Sequence, residues 1–462
     1  MNLSPKTLRG LLICLATALA SRAQTFTSLV SFEGSNGASP EYAMSLVQGT
    51  DGSLYGTTST GGSRDQGTVF KITPDGTLTT VHNFTGLDGA LPGAGLIQAT
   101  NGNFYGTTEV GGAINYAYGT IYMLTPSGAV KTLHSFDSAD GASPFDKLVE
   151  ATDGSFYGTT GYGGVSNLGT IFRITAGGAL TTLHSFHGTD GDGPVGPLLQ
   201  ATDGNFYGTT EYGGRAIPCS NGCGTVYRIT AEGAFTTLYR FSGSPNAFNP
   251  FAGLVEAFNG EFYGTTPYGG TTGAGAIFRI TPSGQFATVF NFNSANGDNA
   301  YPGLVVGSDG NLYGTTWAGG PAAIGTIYKV TPGGTLTTLH TFNGTDGYSP
   351  NGLLEATDGN FYGTTNRGGT SGIGTIFKLS VGLSPFVKTL PHAGKAGSAV
   401  RILGTDLTGA SSVAFHGAAA EFRVVSPSEI AATVPAGATS GRIEVVTPRG
   451  TLASGGPFLV LP

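Results

Sequence analysis

One short motif occurs seven times in this chain, and its repetition limits the folds that the chain can adopt. The string Tyr-Gly-Thr-Thr begins at Tyr55, Tyr105, Tyr157, Tyr207, Tyr263, Tyr313 and Tyr362. Consecutive copies lie 49 to 56 residues apart, and an Asp-Gly or Asn-Gly pair precedes each copy. These pairs favour tight hairpin turns because both central turn positions need a positive φ. The sequence therefore predicts a tandem array of β units.

Each repeat contains the signals of four short strands. A first strand of the residue 95–100 type precedes the Asp-Gly or Asn-Gly turn, and the Tyr-Gly-Thr-Thr strand follows it. A Gly-Gly pair, a strand such as residues 169–175, a tight turn and a last strand such as residues 336–342 complete the unit. Four antiparallel strands in about 50 residues are typical of a β-propeller blade. We therefore expect an all-β, seven-bladed propeller over residues 25–381.

The two ends of the array predict how it closes. The seventh repeat lacks a fourth strand, and residues 25–32 match the missing type. We expect the N-terminal strand to complete blade 7, because this pairing removes the free edges of an open array. The composition agrees with an all-β fold: 79 of 462 residues are Gly, and only 11% are charged. A helical bundle or a disordered charged chain would have the opposite composition.

The repeat resembles the GloVer tandem-repeat family of exported bacterial proteins, over residues 25 to about 381. The resemblance rests on the motif [Asp/Asn]-Gly-x-[Phe/Leu]-Tyr-Gly-Thr-Thr, on the Gly-Gly pair and on strands of the Gly-Thr-Ile-Phe-Arg-Ile-Thr type. It implies display at the cell surface by one of several anchors, and it implies no settled activity.

The N-terminal segment is typical of a secretory signal. Lys6 and Arg9 precede an apolar run over residues 11–20, and small residues at Ala18 and Ala20 have the spacing of a cleavage site. We expect residues 1–23 to be a signal peptide and the protein to be secreted or held at the cell surface. The run is too short to span a membrane, so we expect no transmembrane segment. A net charge of −7 disfavours nucleic acid as a partner, and we expect a monomer.

The C-terminal residues 386–462 do not continue the repeat. Short alternating strands and Gly-containing turns, as in residues 398–407 and 441–447, favour a β-sandwich. These segments resemble the IPT/TIG immunoglobulin-like domain, which implies a spacer or a binding module.

Loop lengths point to one face of the propeller as the binding site. Two connections of each repeat are tight, whereas the other two are long and differ between repeats. In an up-and-down blade these two sets lie on opposite faces, and variable loops on a rigid scaffold often bind ligands. Thirteen acidic residues lie in the variable loops against four basic ones, which are Arg64, Lys147, Arg215 and Arg367.

Aromatic rings beside carboxylates suit a neutral sugar by stacking and hydrogen bonding. The alternative is a solvated face with scattered aromatic side chains. The candidate binding residues are Glu109, Glu211, Tyr162, Tyr212, Tyr268, Trp317 and Arg367.

Three further sets of residues have a defined pattern. The first strands place Gln48, Gln98, Glu150, Gln200, Glu256, Val306 and Glu355 in one register. If this position faces the axis, it forms a polar ring able to hold calcium, or else it lines a water-filled channel. Cys219 and Cys223 lie in the longest repeat and are expected to form a disulfide after export. Four histidines, His82, His134, His184 and His340, share one fourth-strand position around the ring, which favours a packing role.

Catalytic motifs are absent from the sequence. It contains no Gly-x-Ser-x-Gly elbow, no His-Glu-x-x-His and no phosphate-binding Gly-Lys loop. We therefore expect a non-catalytic binding or adhesion protein that recognises a glycan or a cell-surface partner without a cofactor other than calcium. One alternative is a polysaccharide hydrolase or lyase, since Glu109 and Glu211 share one loop position and paired carboxylates can cleave glycans. The other is a purely structural surface-layer protein.

Overall fold

The computed structural model describes residues 24–41, 45–113, 118–214, 219–243 and 247–461. The predicted signal peptide and the loop residue Arg215 lie outside these ranges. The described residues form strands and turns with no helix, so the all-β prediction is confirmed. Accordingly, they include no helix of the length and apolarity that crossing a membrane requires.

The described part of residues 25–380 contains 28 strands. They are β1 (Thr25–Ser31), β2 (Val47–Gln48), β3 (Leu54–Thr58), β4 (Thr68–Ile72), β5 (Leu78–Asn83), β6 (Ile97–Gln98), β7 (Phe104–Thr108), β8 (Thr120–Leu124), β9 (Val130–Ser135), β10 (Val149–Glu150), β11 (Phe156–Thr160), β12 (Thr170–Ile174), β13 (Leu180–Ser185), β14 (Leu199–Gln200), β15 (Phe206–Thr210), β16 (Thr225–Ile229), β17 (Phe235–Arg240), β18 (Val255–Glu256), β19 (Phe262–Thr266), β20 (Ala276–Ile280), β21 (Phe286–Asn291), β22 (Val305–Val306), β23 (Leu312–Thr316), β24 (Thr326–Val330), β25 (Leu336–Thr341), β26 (Tyr348–Glu355), β27 (Asn360–Arg367) and β28 (Thr375–Ser380).

These strands pair into seven four-stranded antiparallel sheets. Six of them use consecutive strands: sheet 1 (β2–β5), sheet 2 (β6–β9), sheet 3 (β10–β13), sheet 4 (β14–β17), sheet 5 (β18–β21) and sheet 6 (β22–β25). Sheet 7 joins β26, β27 and β28 to β1. Each sheet shares a buried apolar cluster with the next, and sheet 7 shares one with sheet 1. The sheets therefore follow one another in a ring.

The predicted role of the N-terminal strand is confirmed. β1 pairs antiparallel with β28, from Thr25 opposite Ser380 to Ser31 opposite Thr375. The Phe26 ring stacks on the His340 ring of sheet 6 at a centroid distance of 3.7 Å, and Phe32 is fully buried. Strand β1 thus supplies the outer strand of the last sheet.

The Tyr-Gly-Thr-Thr motif holds the sheets to one another. In sheet 1 the Tyr55 hydroxyl donates to Asp51 at 2.9 Å, and the Tyr55 ring packs on Phe104 of sheet 2 with centroids 4.2 Å apart. The Thr57 hydroxyl donates to the Ala94 carbonyl of sheet 2 at 2.7 Å. The Thr58 hydroxyl hydrogen-bonds to a threonine on the third strand of its own sheet. Most of the motif therefore serves packing, as its repetition predicts.

The glycine of the motif is required by an aromatic ring on the facing strand. A Cβ atom at Gly56 would lie 2.6 Å from the Phe70 ring, and one at Gly208 would lie 2.4 Å from the Tyr227 hydroxyl. Contacts this short exclude a side chain, because real Cβ atoms do not approach so closely. The glycine therefore permits the close approach of the two strands.

Six of the seven first strands are shorter than predicted. β6 contains only Ile97 and Gln98, whereas the sequence predicted residues 95–100. The reason lies in the preceding residues, where the Ala94 carbonyl accepts the Thr57 hydroxyl of the neighbouring sheet. This segment therefore bonds sideways rather than along its own ladder.

The C-terminal region forms a separate core. Its strands are β29 (Lys388–Leu390), β30 (Ala393–Lys395), β31 (Ala399–Leu403), β32 (Ser412–Phe415), β33 (Ala418–Ala419), β34 (Phe422–Ser426), β35 (Glu429–Thr433), β36 (Ile443–Thr447), β37 (Gly450–Ala453) and β38 (Leu459–Leu461). One sheet has the order β29-β31-β35-β34, and the other has the order β33-β32-β36-β37. Ile402 and Ile430 of the first sheet share a buried cluster with Phe415 and Ile443 of the second.

Candidate binding face

The loops that follow the second strands form the variable face of the ring, which carries segments such as residues 161–169. Each Thr-Thr pair is followed by two residues whose chemistry changes from repeat to repeat. These dipeptides are Ser59-Thr60, Glu109-Val110, Gly161-Tyr162, Glu211-Tyr212, Pro267-Tyr268, Trp317-Ala318 and Asn366-Arg367. All seven predicted binding residues belong to this set, so each occupies one of two equivalent positions in its sheet.

A repeated backbone contact holds these positions in place. Tyr162 exchanges hydrogen bonds with Ala142 at 2.8 and 3.0 Å, and Tyr212 exchanges them with Asp192 at 3.0 and 2.9 Å. Similar isolated bridges hold Thr60, Val110, Tyr268 and Ala318. The main chain is therefore fixed while the side chains differ, which is the arrangement of a rigid scaffold with variable groups.

Aromatic rings from neighbouring sheets meet on this face. The Tyr268 and Tyr301 rings lie edge to face with centroids 5.9 Å apart, and their hydroxyls hydrogen-bond to each other. Tyr301 also packs edge to face on Trp317 at 5.5 Å and on Phe251 at 5.4 Å. We call Tyr212, Tyr268, Tyr301 and Trp317 the aromatic row. It joins sheets 4, 5 and 6: burial is the main cause that raises the pKa of Tyr212, and the nearby Tyr268 adds to the rise.

Two predicted residues lie beside the aromatic row. Tyr162 is 53% exposed and packs on Phe145 with ring centroids 6.0 Å apart. Beside the main effect of burial, Tyr162 and Tyr268 both add to the rise in the pKa of Tyr212. Arg367 is exposed at the end of β27, opposite Tyr348 in β26. The structure thus extends the row through Tyr162 and places Arg367 in sheet 7.

Sequence reasoning missed Tyr301, Phe251 and Phe145, which lie in the other set of variable loops. They share one position just before the first strand, which Glu41, Gly93, Val195 and Asn351 occupy in the other repeats. Variation at this position was a readable signal. The contact between the two sets of loops could not be predicted from the sequence, because the loops come from separate parts of the repeat.

Carboxyl groups on this face stay protonated to unusually high pH. Burial raises the pKa of Glu109 to about 7, and the nearby Glu41 carboxylate adds to the rise. Burial also raises the pKa of Glu41, partly offset by a hydrogen bond with Ser59. Asp146 is only 8% exposed, and burial raises its pKa to about 7 despite the neighbouring Lys147. Three acids on this face are therefore less charged than their sequence suggests.

Glu211 also has an acidic neighbour. Burial raises its pKa, a hydrogen bond with the Tyr212 hydroxyl lowers it, and nearby Asp192 raises it again. For Glu109 the acidic neighbour is Glu41. The joint action of Glu109 and Glu211 in glycan cleavage stays a prediction.

A cavity of about 250 Å³ opens where the first strands converge on this side. Its lining includes Asp146, Lys147, Phe251 and Tyr301, and the Lys147 ammonium donates to the Ser45 hydroxyl at 3.2 Å. The cavity therefore connects the aromatic row to a polar floor.

The opposite side of the ring is the tight-turn face, which carries turns such as residues 51–52. Here the predicted polar ring forms lateral hydrogen bonds. Glu150 accepts the Thr100 amide at 2.9 Å and its hydroxyl at 2.7 Å, so it bonds to the preceding sheet. The other members that bond a preceding sheet in this way are Gln48, Gln98, Gln200, Glu256 and Glu355. We call these six side chains the staples, because each one hydrogen-bonds its sheet to the preceding sheet. A calcium ion at the ring stays a prediction.

The seventh position of this ring differs in both partners. Val306 cannot accept a hydrogen bond, and its partner position in sheet 5 holds Phe258 instead of threonine or serine. Phe258 is 48% exposed and lines a cavity of about 320 Å³ together with Phe386, His392 and Gly456 of the C-terminal region. The apolar pair therefore lies where the C-terminal region meets the ring.

The C-terminal region packs on the tight-turn face. The Ser428 hydroxyl donates to the Thr50 carbonyl at 2.7 Å, and the Phe386 amide donates to the Thr357 carbonyl at 3.0 Å. The Lys388 ammonium donates to the Glu355 carbonyl, and burial lowers the pKa of Lys388 to about 8. These contacts cover the stapled ring and leave the variable face open.

The predicted disulfide is confirmed. Cys219 and Cys223 are joined with a Cα–Cα distance of 5.3 Å, and Cys223 belongs to the apolar cluster between sheets 4 and 5. The bridge closes a short loop in the longest repeat. It therefore fixes that loop locally.

Comparisons with known proteins agree with this architecture. The family described as Gloeobacter/Verrucomicrobia repeat matches residues 17–217, 116–306, 194–377 and 259–410. No curated protein shows significant similarity to the chain.

Solved structures show the same type of fold. Virginiamycin B lyase from Staphylococcus aureus aligns with a TM-score of 0.52 at 18% identity, covering 78% of this chain and 99% of the lyase. A fungal alcohol oxidase in complex with copper aligns with a TM-score of 0.52 at 15% identity, covering 95% of this chain and 99% of the oxidase. At these identities the likeness shows a β-propeller-like fold and nothing about activity.

Proposed function

This chain belongs to the Gloeobacter/Verrucomicrobia repeat family, and from that premise we propose that it is an exported protein that binds a neutral glycan. In this proposal residues 25–381 form a seven-bladed β-propeller, residues 386–462 form an immunoglobulin-like domain, and residues 1–23 are the signal peptide. The protein acts outside the cell as a monomer that binds without catalysis.

The aromatic row carries the proposal. Sugar rings present C–H faces that stack on aromatic side chains, and their hydroxyls need donors and acceptors at the edge of the stack. Tyr212, Tyr268, Tyr301 and Trp317 supply the rings. Glu211 supplies an acceptor next to Tyr212. The row spans three adjacent sheets, which suits an oligosaccharide better than a single sugar.

The low charge of the acids supports a neutral ligand. A carboxyl group with a pKa of about 7, as at Glu109 and Asp146, is half protonated near neutral pH and can donate as well as accept. A cationic ligand would favour fully ionised acids. The C-terminal region covers the opposite face, so the variable face is the one that remains open to a large ligand.

A glycan array probed with the full chain tests the proposal. We expect binding to neutral oligosaccharides, weakened up to about tenfold by Tyr268→Ala, because a stacked ring contributes roughly 0.5 to 1.5 kcal/mol. Tyr348→Ala is the matched control, since Tyr348 is 37% exposed and Tyr268 is 36% exposed on the same face. Equal effects of the two variants, or silence on every glycan, would contradict the proposal and favour a structural surface-layer role.

One observation favours a second candidate, a polysaccharide hydrolase or lyase. Glu109 has the raised pKa of a general acid, and the Glu41 carboxyl is close enough to act on it. New reducing or unsaturated ends after incubation with a bound polysaccharide, lost in Glu109→Gln, would establish catalysis. Binding with no new ends would leave the non-catalytic proposal standing.

A further inference from the structure

One of the repeated histidines has a second histidine beside it. Four sheets place a histidine near the end of the fourth strand, where its Nε2 lies 2.7 to 3.0 Å from an aspartate six residues later. These pairs are His82–Asp88, His134–Asp140, His184–Asp190 and His340–Asp346. Their recurrence indicates that the pair itself is structural.

The residue three positions after this fourth-strand position differs between repeats. From sheet 1 to sheet 7 it is Thr85, Asp137, His187, Ser242, Asn293, Asn343 and Glu33, so only the repeat of sheet 3 has histidine there. The Nδ1 atom of His187 lies 3.8 Å from Asp190 Oδ2, and the His187 amide donates to Asp190 Oδ1 at 2.9 Å. The three potential donor atoms of His184, His187 and Asp190 all lie within 4.8 Å of one another.

The two inner side chains of this cluster are already held in place. The His184 ring stacks on Phe235 with centroids 4.0 Å apart and an interplanar angle of 4°. The Phe186 ring meets it edge to face at 4.9 Å. The His184 and Asp190 side chains are 17% and 21% exposed, whereas His187 is 56% exposed. The cluster is therefore ordered on its inner side and open to water on its outer side.

We infer that His184, His187 and Asp190 bind a divalent transition-metal ion, with zinc as the best-fitting ion. Two imidazole nitrogens and one carboxylate oxygen, with a position left for water, form a common ligand set for zinc. Ligand bonds of about 2.0 to 2.2 Å place the donor atoms roughly 3 to 3.5 Å apart. Asp190 Oδ2 lies 2.9 Å from His184 Nε2 and 3.8 Å from His187 Nδ1, which brackets that range.

Binding needs only a local change. The ion replaces the hydrogen bond between His184 and Asp190, and the proton on Nε2 moves to the other ring nitrogen of the neutral imidazole. Asp192, two residues after Asp190, holds the Tyr212 backbone by two hydrogen bonds. A bound ion would thus stiffen the segment that supports one end of the aromatic row, while the inference itself does not depend on glycan binding.

Calorimetry with zinc chloride on the full chain, free of any histidine tag, tests the site. We expect one ion per chain in the wild type and at least a tenfold loss of affinity in His187→Ala, which keeps the His184–Asp190 pair. Thr85→His introduces the missing ligand beside His82 and Asp88, so we expect it to add a second site. Cobalt absorbance in the visible range, present in the wild type and absent in His187→Ala, would show coordination directly.

Equal zinc affinity in the wild type and in His187→Ala would overturn the inference. So would a cobalt spectrum that His187→Ala leaves unchanged. A thermal midpoint near that of the wild type, measured without metal, would show that His187→Ala folds normally.

Discussion

The two faces of the ring come from the same seven sheets but use their repeated positions in opposite ways. On the tight-turn face, six Gln or Glu side chains make the same hydrogen bond to the preceding sheet. On the variable face, one equivalent position carries Glu, Trp, Pro, Gly, Ser or Asn. Contacts that recur hold the ring together, and positions that vary are free to recognise a ligand. Changes on the first face should therefore cost stability, and changes on the second should alter binding.

The sharpest test of the ring concerns its closure. Phe32 and Phe84 occupy equivalent positions after the outer strands of sheets 7 and 1, and both are fully buried. In a closed ring, Phe32→Ala and Phe84→Ala should each cost about 3 to 5 kcal/mol, and deletion of residues 25–31 should cost more. Urea denaturation measures these losses. A much smaller loss of unfolding free energy for Phe32→Ala than for Phe84→Ala would mean that β1 is dispensable. It would also mean that sheets 7 and 1 do not close the ring.

The staples should have the next largest effect. Glu150→Ala leaves the Thr100 amide and hydroxyl without their acceptor, which should cost about 1 to 3 kcal/mol of unfolding free energy. Val306→Ala is the control on the same ring, because Val306 makes no such hydrogen bond. Glycan affinity should stay within twofold in both variants. A staple variant that loses binding but not stability would break the division between the two faces.

Glu109 on the variable face should make the stability of the protein depend on pH. The folded pKa of Glu109 is about 7, above its ordinary value of 4.5, so the folded state holds this proton between these pH values and the unfolded state does not. Stability therefore falls as pH rises from about 4.5 to 7. Glu109→Gln should match the wild type at pH 4 and exceed it by roughly 1 kcal/mol at pH 8, allowing for solvent screening. Denaturation at the two pH values checks this, and an equal difference at both would contradict it.

The smallest expected effect is a gain in stability. The hydroxyls of Tyr122, Tyr227 and Tyr328 are buried with no hydrogen-bond partner among the described residues, and the other four repeats have Phe at this position. Tyr122→Phe should therefore stabilise the protein by about 1 kcal/mol. Tyr105→Phe should destabilise it, because the Tyr105 hydroxyl accepts a hydrogen bond from Asn101 at 2.8 Å. Thermal denaturation of both variants would separate the two cases, and a destabilised Tyr122→Phe would refute the argument.

Most of the fold could be predicted because each signal lies within one repeat. The hairpin turns, the third and fourth strands and the role of β1 all follow from local patterns that recur in register. Six of the first strands were predicted too long, and a residue before one of them, Ala94, accepts a hydrogen bond from the Thr57 side chain of the preceding sheet. Propensity within one segment carries no information about a partner 37 residues away.

The candidate site was only partly readable for the same reason. Tyr212, Tyr268 and Trp317 could be selected because they interrupt a repeating position, but Tyr301 lies in the other loop set and completes the row between them. The pKa of Glu109 is raised by burial and then by Glu41, which belongs to a different repeat. The polar ring was placed at the correct position, yet its direction depended on threonines of the preceding sheet. The repeat shows which residues vary, whereas the three-dimensional arrangement of the sheets is needed to show which of them lie close together.

The apolar pair Phe258 and Val306 has a consequence for assembly. A ring of seven similar sheets offers an appended domain seven nearly equivalent docking orientations, and six of the junctions present the same polar staple. The seventh junction presents an exposed aromatic ring beside Gly456 and Phe386 of the C-terminal region. One substituted junction thus breaks the rotational pseudosymmetry of the ring. It specifies one docking orientation of the C-terminal region among seven that would otherwise be nearly equivalent.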